Sequence, residues 1–553
     1  MKYSIGIDFG TLSARALLVR LSDGAELATS VYDYPHGVIT DRIGEHKLPS
    51  GFALQHPEDY LEALRFTVPN VLSAAGVSAD DVVGLGVDFT SCTVLPIKLD
   101  GTPLCLTPEF SDRPHAFVKL WKHHGAQAQA DRMTELSLEL EPERLSIFGG
   151  RISSEWLFPK ILETLENDPE VYAAADRFIE AGDWIVLRLT GKESYGACIA
   201  GYKATWHKRL GFPKRELLRA LNPELESIVG TKLNMNVLPM GSKAGEITPE
   251  GARLCGLRPG TAVSVCTIDA HAGAPAAGVT APGKMMMILG TSAVHLINHP
   301  EEKKIEGLCG VVEGASIDGL QTYEAGQCCL GDHFDWFVKN CVPEDYTAAA
   351  RSEGISIHKY LRNKAIKLRP GESGLIALDF WNGNRSVLVD SQLTGLMLGM
   401  DLNTKPEEMY RALIEATAYG TRVIIEAFED GGIAVNELYA AGGIADKDEM
   451  LMQIYSDVTG REIRLSGSPQ AGALGSAMYG AVASGYFPDM ESCGRVLSKL
   501  KDKVYRPIPE NVIIYDKLYR EYKWLYYLFG RESDSMKRLL AIREQVRKQD
   551  RSH

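Results

Sequence analysis

The chain has 553 residues, 45% of them hydrophobic and 24% charged, and a formal charge of −13. That length exceeds one ordinary core and predicts two large domains of a soluble globular protein. The acidic balance excludes nucleic acid and anionic membrane as bulk partners, so any anionic ligand needs a local device such as backbone N–H groups or a metal ion.

The elements follow in chain order. Lys2–Gly10, Ala16–Leu21 and Ala25–Tyr32 alternate with period two around the turns Gly10-Thr11-Leu12-Ser13 and Asp23-Gly24, which predicts a three-stranded antiparallel meander. Helical spacing follows at Pro57–Val68, then a buried strand at Val82–Phe89, so strand and helix interleave as in α/β proteins. In the second half Lys284–Leu289, the turn Gly290-Thr291-Ser292 and Val294–Asn298 repeat the strand, Gly-Thr loop, strand order of the N-terminus. Chance similarity of two hairpins stands beside duplication as the alternative. A helix is expected at Lys405–Phe428, a Gly-rich loop at Ala440–Asp446, and a helix at Gln470–Gly485 whose Gly472, Gly475 and Gly480 suit close packing against another backbone. Beyond Phe487 the charged, Tyr-rich segment predicts helices on the outside of a domain or on another subunit, which leaves a homodimer open.

Ten cysteines include no C-x-x-C pair, and adjacent Cys328 and Cys329 read as small buried hydrophobes. Asp8 interrupts any signal-like apolar run and no uncharged stretch is long enough to span a bilayer, so a cytoplasmic location is expected.

Phosphoryl transfer requires a cradle for phosphate oxygens, a carboxylate for Mg2+ and a base beside the attacking hydroxyl. The turn after Asp8 can aim several backbone N–H groups into one concavity, with Gly10 allowing close approach, Thr11 and Ser13 offering hydroxyls and Arg15 a charge. Asp8 at the strand end suits Mg2+. An ordinary polar hairpin is the alternative, weakened by the second loop Gly290-Thr291. Asp269 ends the apolar run from Val263, where a carboxylate could act as general base or merely cap a turn. His271 reads as a structural histidine, since no second His or Cys sits at metal-ligand spacing. Gly442-Gly443 with Asp446 could form a flat platform for adenine or a plain loop before a helix. Gly278–Met285 nearly spells a phosphate-binding P-loop, but Met285 replaces the required Ser or Thr and a strand follows, so it reads as an interdomain turn.

Ile5–Thr11, Asp183–Gly191, Thr267–Gly273, Leu289–Ser292, Gly442-Gly443 and Ala471–Gly475 together resemble the FGGY carbohydrate kinases, over nearly the whole chain. The resemblance implies an α/β fold of two duplicated actin/hexokinase-like (ribonuclease H-like) domains flanking a cleft. The expected division is 1–283 for sugar and phosphate, 284–490 for nucleotide, and 491–553 as a helical extension. ATP and Mg2+ are the implied cofactors. Asp269 would be the base and Asp8 the metal ligand. Gly10, Thr11, Gly290, Thr291, Gly331, Gly442, Gly443 and Asp446 would line the nucleotide, and Ser91, Lys203, Asp269 and Glu324 would hold the sugar.

Gly86–Thr93, Asp100–Leu104, Val118–His124 and Gly201–Trp206 resemble one subgroup of that family, which phosphorylates L-ribulose in arabinose breakdown. Another pentulose or polyol, and a non-enzymatic nucleotide-gated protein of the same fold, are the alternatives. Two departures stand out: Phe110-Ser-Asp112-Arg113 lacks the Trp many relatives carry two residues before the Asp, and Ser91 stands where a smaller residue is expected.

Overall fold

The computed structural model describes residues 1–550; the last three residues of the expected C-terminal extension, 551–553, lie outside them. Strands β1 (Tyr3–Phe9), β2 (Ser13–Arg20) and β3 (Glu26–Asp33) form the predicted antiparallel meander. Ile5, Ile7 and Phe9 of β1 are fully buried, as are Leu17 and Val19 of β2. Helix α1 (Pro57–Ala75) begins with Pro57 at its first position and two acidic residues in its first turn, and stops at Gly76 in the left-handed region. It runs on through Pro69, past the expected end at Val68, because Val68, Val71 and Leu72 bury one continuous face. Strand β4 (Val82–Phe89) then joins β1 in parallel.

The chain next builds α2 (Ala197–Ala204), β5 (Lys243–Glu246), β6 (Ala262–Ser264), the short β7 (Thr267–Ile268) and α3 (Asp269–Ala276). The first sheet has the order β5-β6-β4-β1-β2-β3, with β7 also on β4. The second half supplies β8 (Lys284–Leu289), β9 (Ala293–His299), β10 (Gly310–Glu313), β11 (Gln321–Gln327), α4 (Gly331–Cys341), α5 (Pro406–Asp430), β12 (Glu437–Ala441), α6 (Gly443–Lys447), β13 (Ile463–Ser466), α7 (Ala471–Ala483), β14 (Leu500–Tyr505), α8 (Pro509–Tyr527) and α9 (Ser535–Asp550). Its sheet runs β10-β11-β9-β8-β12-β13-β14. In each sheet three antiparallel strands are extended by two parallel strands and closed by an antiparallel edge strand, and in the second sheet β10 adds a fourth antiparallel strand at the opposite edge. The hairpin echo in the sequence is therefore a duplication of the whole sheet, not chance.

Helix α7 crosses between the halves. Although it follows the second sheet's strands in sequence, its Ala473, Leu474, Ala477 and Met478 belong to the first core. Backbone contact explains its small residues: a Cβ on Gly475 would lie 1.7 Å from the Ala272 carbonyl oxygen, and one on Gly6 would lie 1.7 Å from that of Ala473. The C-terminal segment differs from a purely helical extension, since β14 forms the edge of the second sheet. The tyrosines of α8 are used within the chain: Tyr515, Tyr519, Tyr522 and Tyr526 are buried in the second core, and Tyr522 donates to Asp379 at 2.7 Å. Among the described residues no helix is long and apolar enough to cross a membrane.

Candidate active site

Each Gly-Thr loop is closed by the N–H of its glycine, onto the third residue along in the first loop and the second in the other. Gly10 N donates to Ser13 O at 2.9 Å and Gly290 N to Ser292 O at 3.0 Å, each turning β1 into β2 or β8 into β9. The first loop is braced from outside: Gln55 donates to the Thr11 carbonyl at 2.7 Å, Trp121 to the Thr11 hydroxyl at 3.1 Å, and Tyr34 N to Leu12 O at 2.9 Å. Ser13 and Arg15 lie beside one another (3.4 Å), and Arg15 Nε is 3.7 Å from Asp8 Oδ2. In the second loop the Thr291 carbonyl accepts from Leu330 N (2.9 Å), and Gly331 N donates to Gly290 O (3.0 Å), bringing the start of α4 onto the turn.

Three carboxyls converge at the strand ends of the first sheet. Asp8 and Asp88 are register partners on β1 and β4, and Thr267, two residues before Asp269, is the partner of Asp88 on β7. Asp88 accepts from Ser476 of α7 at 2.6 Å through Oδ2, while its buried Oδ1 has no partner. Burial, with the charge of Asp8 second, holds Asp269 up to about 6. Burial likewise raises Asp8, against Arg15, and raises Asp88 strongly, with Asp8 adding to it. An orphaned buried oxygen among carboxylates with a single nearby guanidinium fits a hard divalent cation such as Mg2+. The three do not bring one oxygen each within 4.8 Å of one another, which suits an ion that keeps waters and phosphate oxygens rather than a protein cage.

The wall beside Asp269 comes from both halves. Asp269 is the first residue of α3, its Oδ1 accepting from Ala270 N at 2.7 Å. His271, two residues on, is flanked by Cys198 of α2 (Nδ1 to Sγ, 3.3 Å) and Glu324 of β11 (Nε2 to Oε2, 2.9 Å). Burial disfavours the imidazolium, but Cys198 and Glu324 outweigh it and hold His271 up to about 10. Burial also works against the Glu324 carboxylate, which Lys203, His271 and Arg385 nevertheless pull down to about 2. Lys203 is correspondingly raised: burial opposes its charge, Glu324 and then Cys92 favour it. Ser91 sits on a turn fixed by Cys92 in the left-handed region (φ 58°) and by Lys160, which donates to the Cys92 carbonyl at 2.5 Å.

A cavity of about 410 Å3 lies between the second Gly-Thr loop and α6, lined by Gly290, Thr291, Gly331, His358, Tyr410, Gly443 and Asp448 among others. This is the size range of small-molecule sites. Gly442, at φ 103°, presses on the Leu289 carbonyl, where a Cβ would come within 2.4 Å. Asp446 does not line this cavity: it pairs with Lys501 at 2.7 Å, while Asp448, held by Arg362 at 3.1 Å, does. A second cavity of about 460 Å3, between Pro142–Ile147 and residues 302–311, contains none of the expected site residues. In the departing loop, Arg113 is taken by Asp168 and Glu170 (2.5 and 2.9 Å).

Neither Asp88 nor His271 is among the residues expected from the sequence to take part in chemistry. For Asp88 a signal existed: β1 ends Ile-Asp-Phe and β4 ends Val-Asp-Phe, so parallel pairing in register brings the two aspartates together. No local pattern connects His271 to Glu324, which is 53 residues away.

The N-terminal domain of the FGGY family of carbohydrate kinases matches residues 3–275 and its C-terminal domain residues 285–484. The chain belongs to this family and is an ATP-dependent carbohydrate kinase. It is 51% identical to a ribulokinase of Anoxybacillus flavithermus, across 99% of this chain and 98% of that one. It is 50% identical to a ribulokinase of Bacillus licheniformis, across 96% and 98%. Among solved structures, a xylulose kinase from Rhodospirillum rubrum superposes with a TM-score of 0.78 at 22% identity, over 96% of this chain and 99% of that one. That likeness establishes the fold: two duplicated actin/hexokinase-like α/β domains.

Proposed function

We propose that this kinase transfers the γ-phosphoryl group of ATP to L-ribulose, giving L-ribulose 5-phosphate and ADP, as a step of L-arabinose catabolism. The choice of sugar rests on the likeness to proteins named ribulokinase along nearly the full length of both chains. The observation that carries the chemistry is the Asp269 carboxyl, raised to about 6 on a wall it shares with Lys203 and Glu324. At neutral pH it is a carboxylate yet more basic than an ordinary aspartate, as a general base requires.

In this reading Asp269 accepts the proton of the sugar hydroxyl as its oxygen bonds to the γ-phosphorus; the bond to the β-phosphate oxygen breaks and ADP leaves with those electrons. Lys203 donates to sugar oxygens and Glu324 accepts from sugar hydroxyls, with Ser91 at the edge. Backbone N–H groups of Thr11 and Thr291, the Ser13 hydroxyl and Arg15 hold phosphate oxygens from the two halves, while Gly10 and Gly290, their own N–H groups spent within the turns, allow the close approach. Gly331, Gly442 and Gly443 border the nucleoside. Asp446, paired with Lys501, is the weakest member of the expected set, and Asp448 the better candidate. Asp8, with Asp88 and Asp269 around it, would hold Mg2+. When bound, Mg2+ neutralises charge on the transferring phosphates.

The test is ADP release measured across L-ribulose, D-ribulose, D-xylulose, ribitol and glycerol. The proposal expects the highest kcat/KM with L-ribulose; a higher value for another sugar would reassign the substrate within the family.

A further inference from the structure

Away from this cleft, the segment after β3 and the start of α1 bring two histidines and an aspartate together. His36 Nδ1 lies 2.6 Å from Asp59 Oδ1, and the other oxygen of Asp59 accepts from the backbone N–H of His36 at 3.1 Å. The His36 and His56 rings stack, with centroids 4.4 Å apart and planes at 20°. Among the described residues this is the group whose three ligand atoms all lie within 4.8 Å of one another. Asp59 is buried and His56 half-buried, and His56 Nδ1 is sealed from solvent with no hydrogen-bond partner.

We propose that His36, His56 and Asp59 form a site for a divalent transition-metal ion, with Zn2+ the occupant their donor set suits best. Two imidazole nitrogens and one carboxylate oxygen are the donors Zn2+ takes, with water completing the tetrahedron. Hard ions such as Mg2+ and Ca2+ prefer all-oxygen sets. Adjacent ligand atoms around a tetrahedral Zn2+ stand about 3.4 Å apart, given bonds of about 2.0–2.1 Å. His36 Nδ1 and Asp59 Oδ1, 2.6 Å apart, must therefore part by about 0.8 Å to admit the ion, a movement the exposed His36 can supply. The outer contacts are present too: the Asp59 backbone-bonded oxygen and the ring of Phe117 against His56 (5.9 Å, 63°) fix two of the three ligands.

The site has a structural consequence. Tyr34, two residues before His36, and Gln55, beside His56, are the groups that brace the Leu12 and Thr11 carbonyls of the first Gly-Thr loop. An ion bridging His36 to His56 and Asp59 ties these two braces together behind the loop, stiffening it without taking part in phosphoryl transfer.

The test is Zn2+ titration of the metal-stripped full chain against a chromophoric chelator, in saturating Mg2+ so that the cleft carboxylates are occupied, with thermal unfolding recorded in parallel. One equivalent should bind and raise the midpoint, as any ion preferring the folded state does. His36→Ala and His56→Ala should each weaken binding by at least about tenfold and abolish the shift. His46→Ala, an exposed histidine outside the cluster, should bind as the parent does. His36 is exposed, so its variant tests the site without threatening the fold. Absence of Zn2+ binding, or binding equally tight in both cluster variants, overturns the proposal.

Discussion

Asp8 and Asp88 occupy the same register on adjacent parallel strands, and the phenylalanines that follow them, Phe9 and Phe89, stack with centroids 4.9 Å apart and planes at 12°. The stacked pair locks the two strand ends together, an interaction of about 0.5–1.5 kcal/mol beyond burial. The carboxyls are thereby committed to one another's field. Asp88 has one oxygen held by Ser476 and the other orphaned, which leaves that oxygen open to a cation. Asp88→Asn should weaken Mn2+ binding on the order of tenfold, as loss of a charged contact does, read from the free-ion EPR signal in the presence of ADP. Unchanged Mn2+ affinity would remove Asp88 from the metal's surroundings.

His271 joins the helix that begins with Asp269 to a strand of the opposite half, through Glu324 at 2.9 Å. His271→Gln should leave Glu324 free to turn away from the sugar. The expected outcome is a KM for the sugar raised on the order of tenfold, the scale of one hydrogen bond to a charged group, with kcat lowered less and KM for ATP unchanged. A fall in kcat alone would mean that His271 acts on the chemical step instead.

The raised value of Asp269, about 6, sets the direction of two pH effects. As a base it works only deprotonated, so kcat/KM for the sugar should plateau above pH 6 and fall about tenfold per unit below it. For stability, a carboxyl raised in the folded state binds its proton more tightly there than when unfolded. Its cost to the fold is therefore present above pH 6 and vanishes below the ordinary carboxylate range near pH 4. Asp269→Asn should accordingly melt higher than the parent at pH 8, with the difference closing toward pH 4.

Helix α7 reaches the first sheet only because backbone meets backbone. Gly475→Ala puts a methyl 1.7 Å from the Ala272 carbonyl oxygen and must displace either the helix or α3. A loss of about 3 kcal/mol is expected, at the upper end of ordinary overpacking, together with lower activity, since Ser476 and its bond to Asp88 move with the helix. Thermal unfolding and the specific activity of the soluble fraction check both.

The meander, the duplicated hairpin and the small-residue helix were legible because each is written in local pattern: Ile5, Ile7 and Phe9 recur at every second position, and Gly472, Gly475 and Gly480 recur along one apolar segment. The residues that failed to show were set by contacts between segments far apart in sequence. Whether Asp446 or Asp448 faces the cavity depends on where the five-residue α6 begins and on Lys501 and Arg362, which recruit one aspartate each. The return of α7 to the first core and of β14 to the second sheet depends on the duplicated halves exchanging elements, which no local pattern records. The partners of His271, Cys198 and Glu324, were hidden for the same reason, since they come from two other segments.

The account turns on Asp269 as the group that takes the sugar's proton. The direct measurement is steady-state kinetics of Asp269→Asn with L-ribulose and ATP, beside equilibrium binding of ATP to the same variant. The account predicts kcat lower by roughly 10²–10⁴ with ATP affinity within about twofold of the parent, the general base being lost and the phosphate loops intact. Turnover at the parent's rate would contradict it.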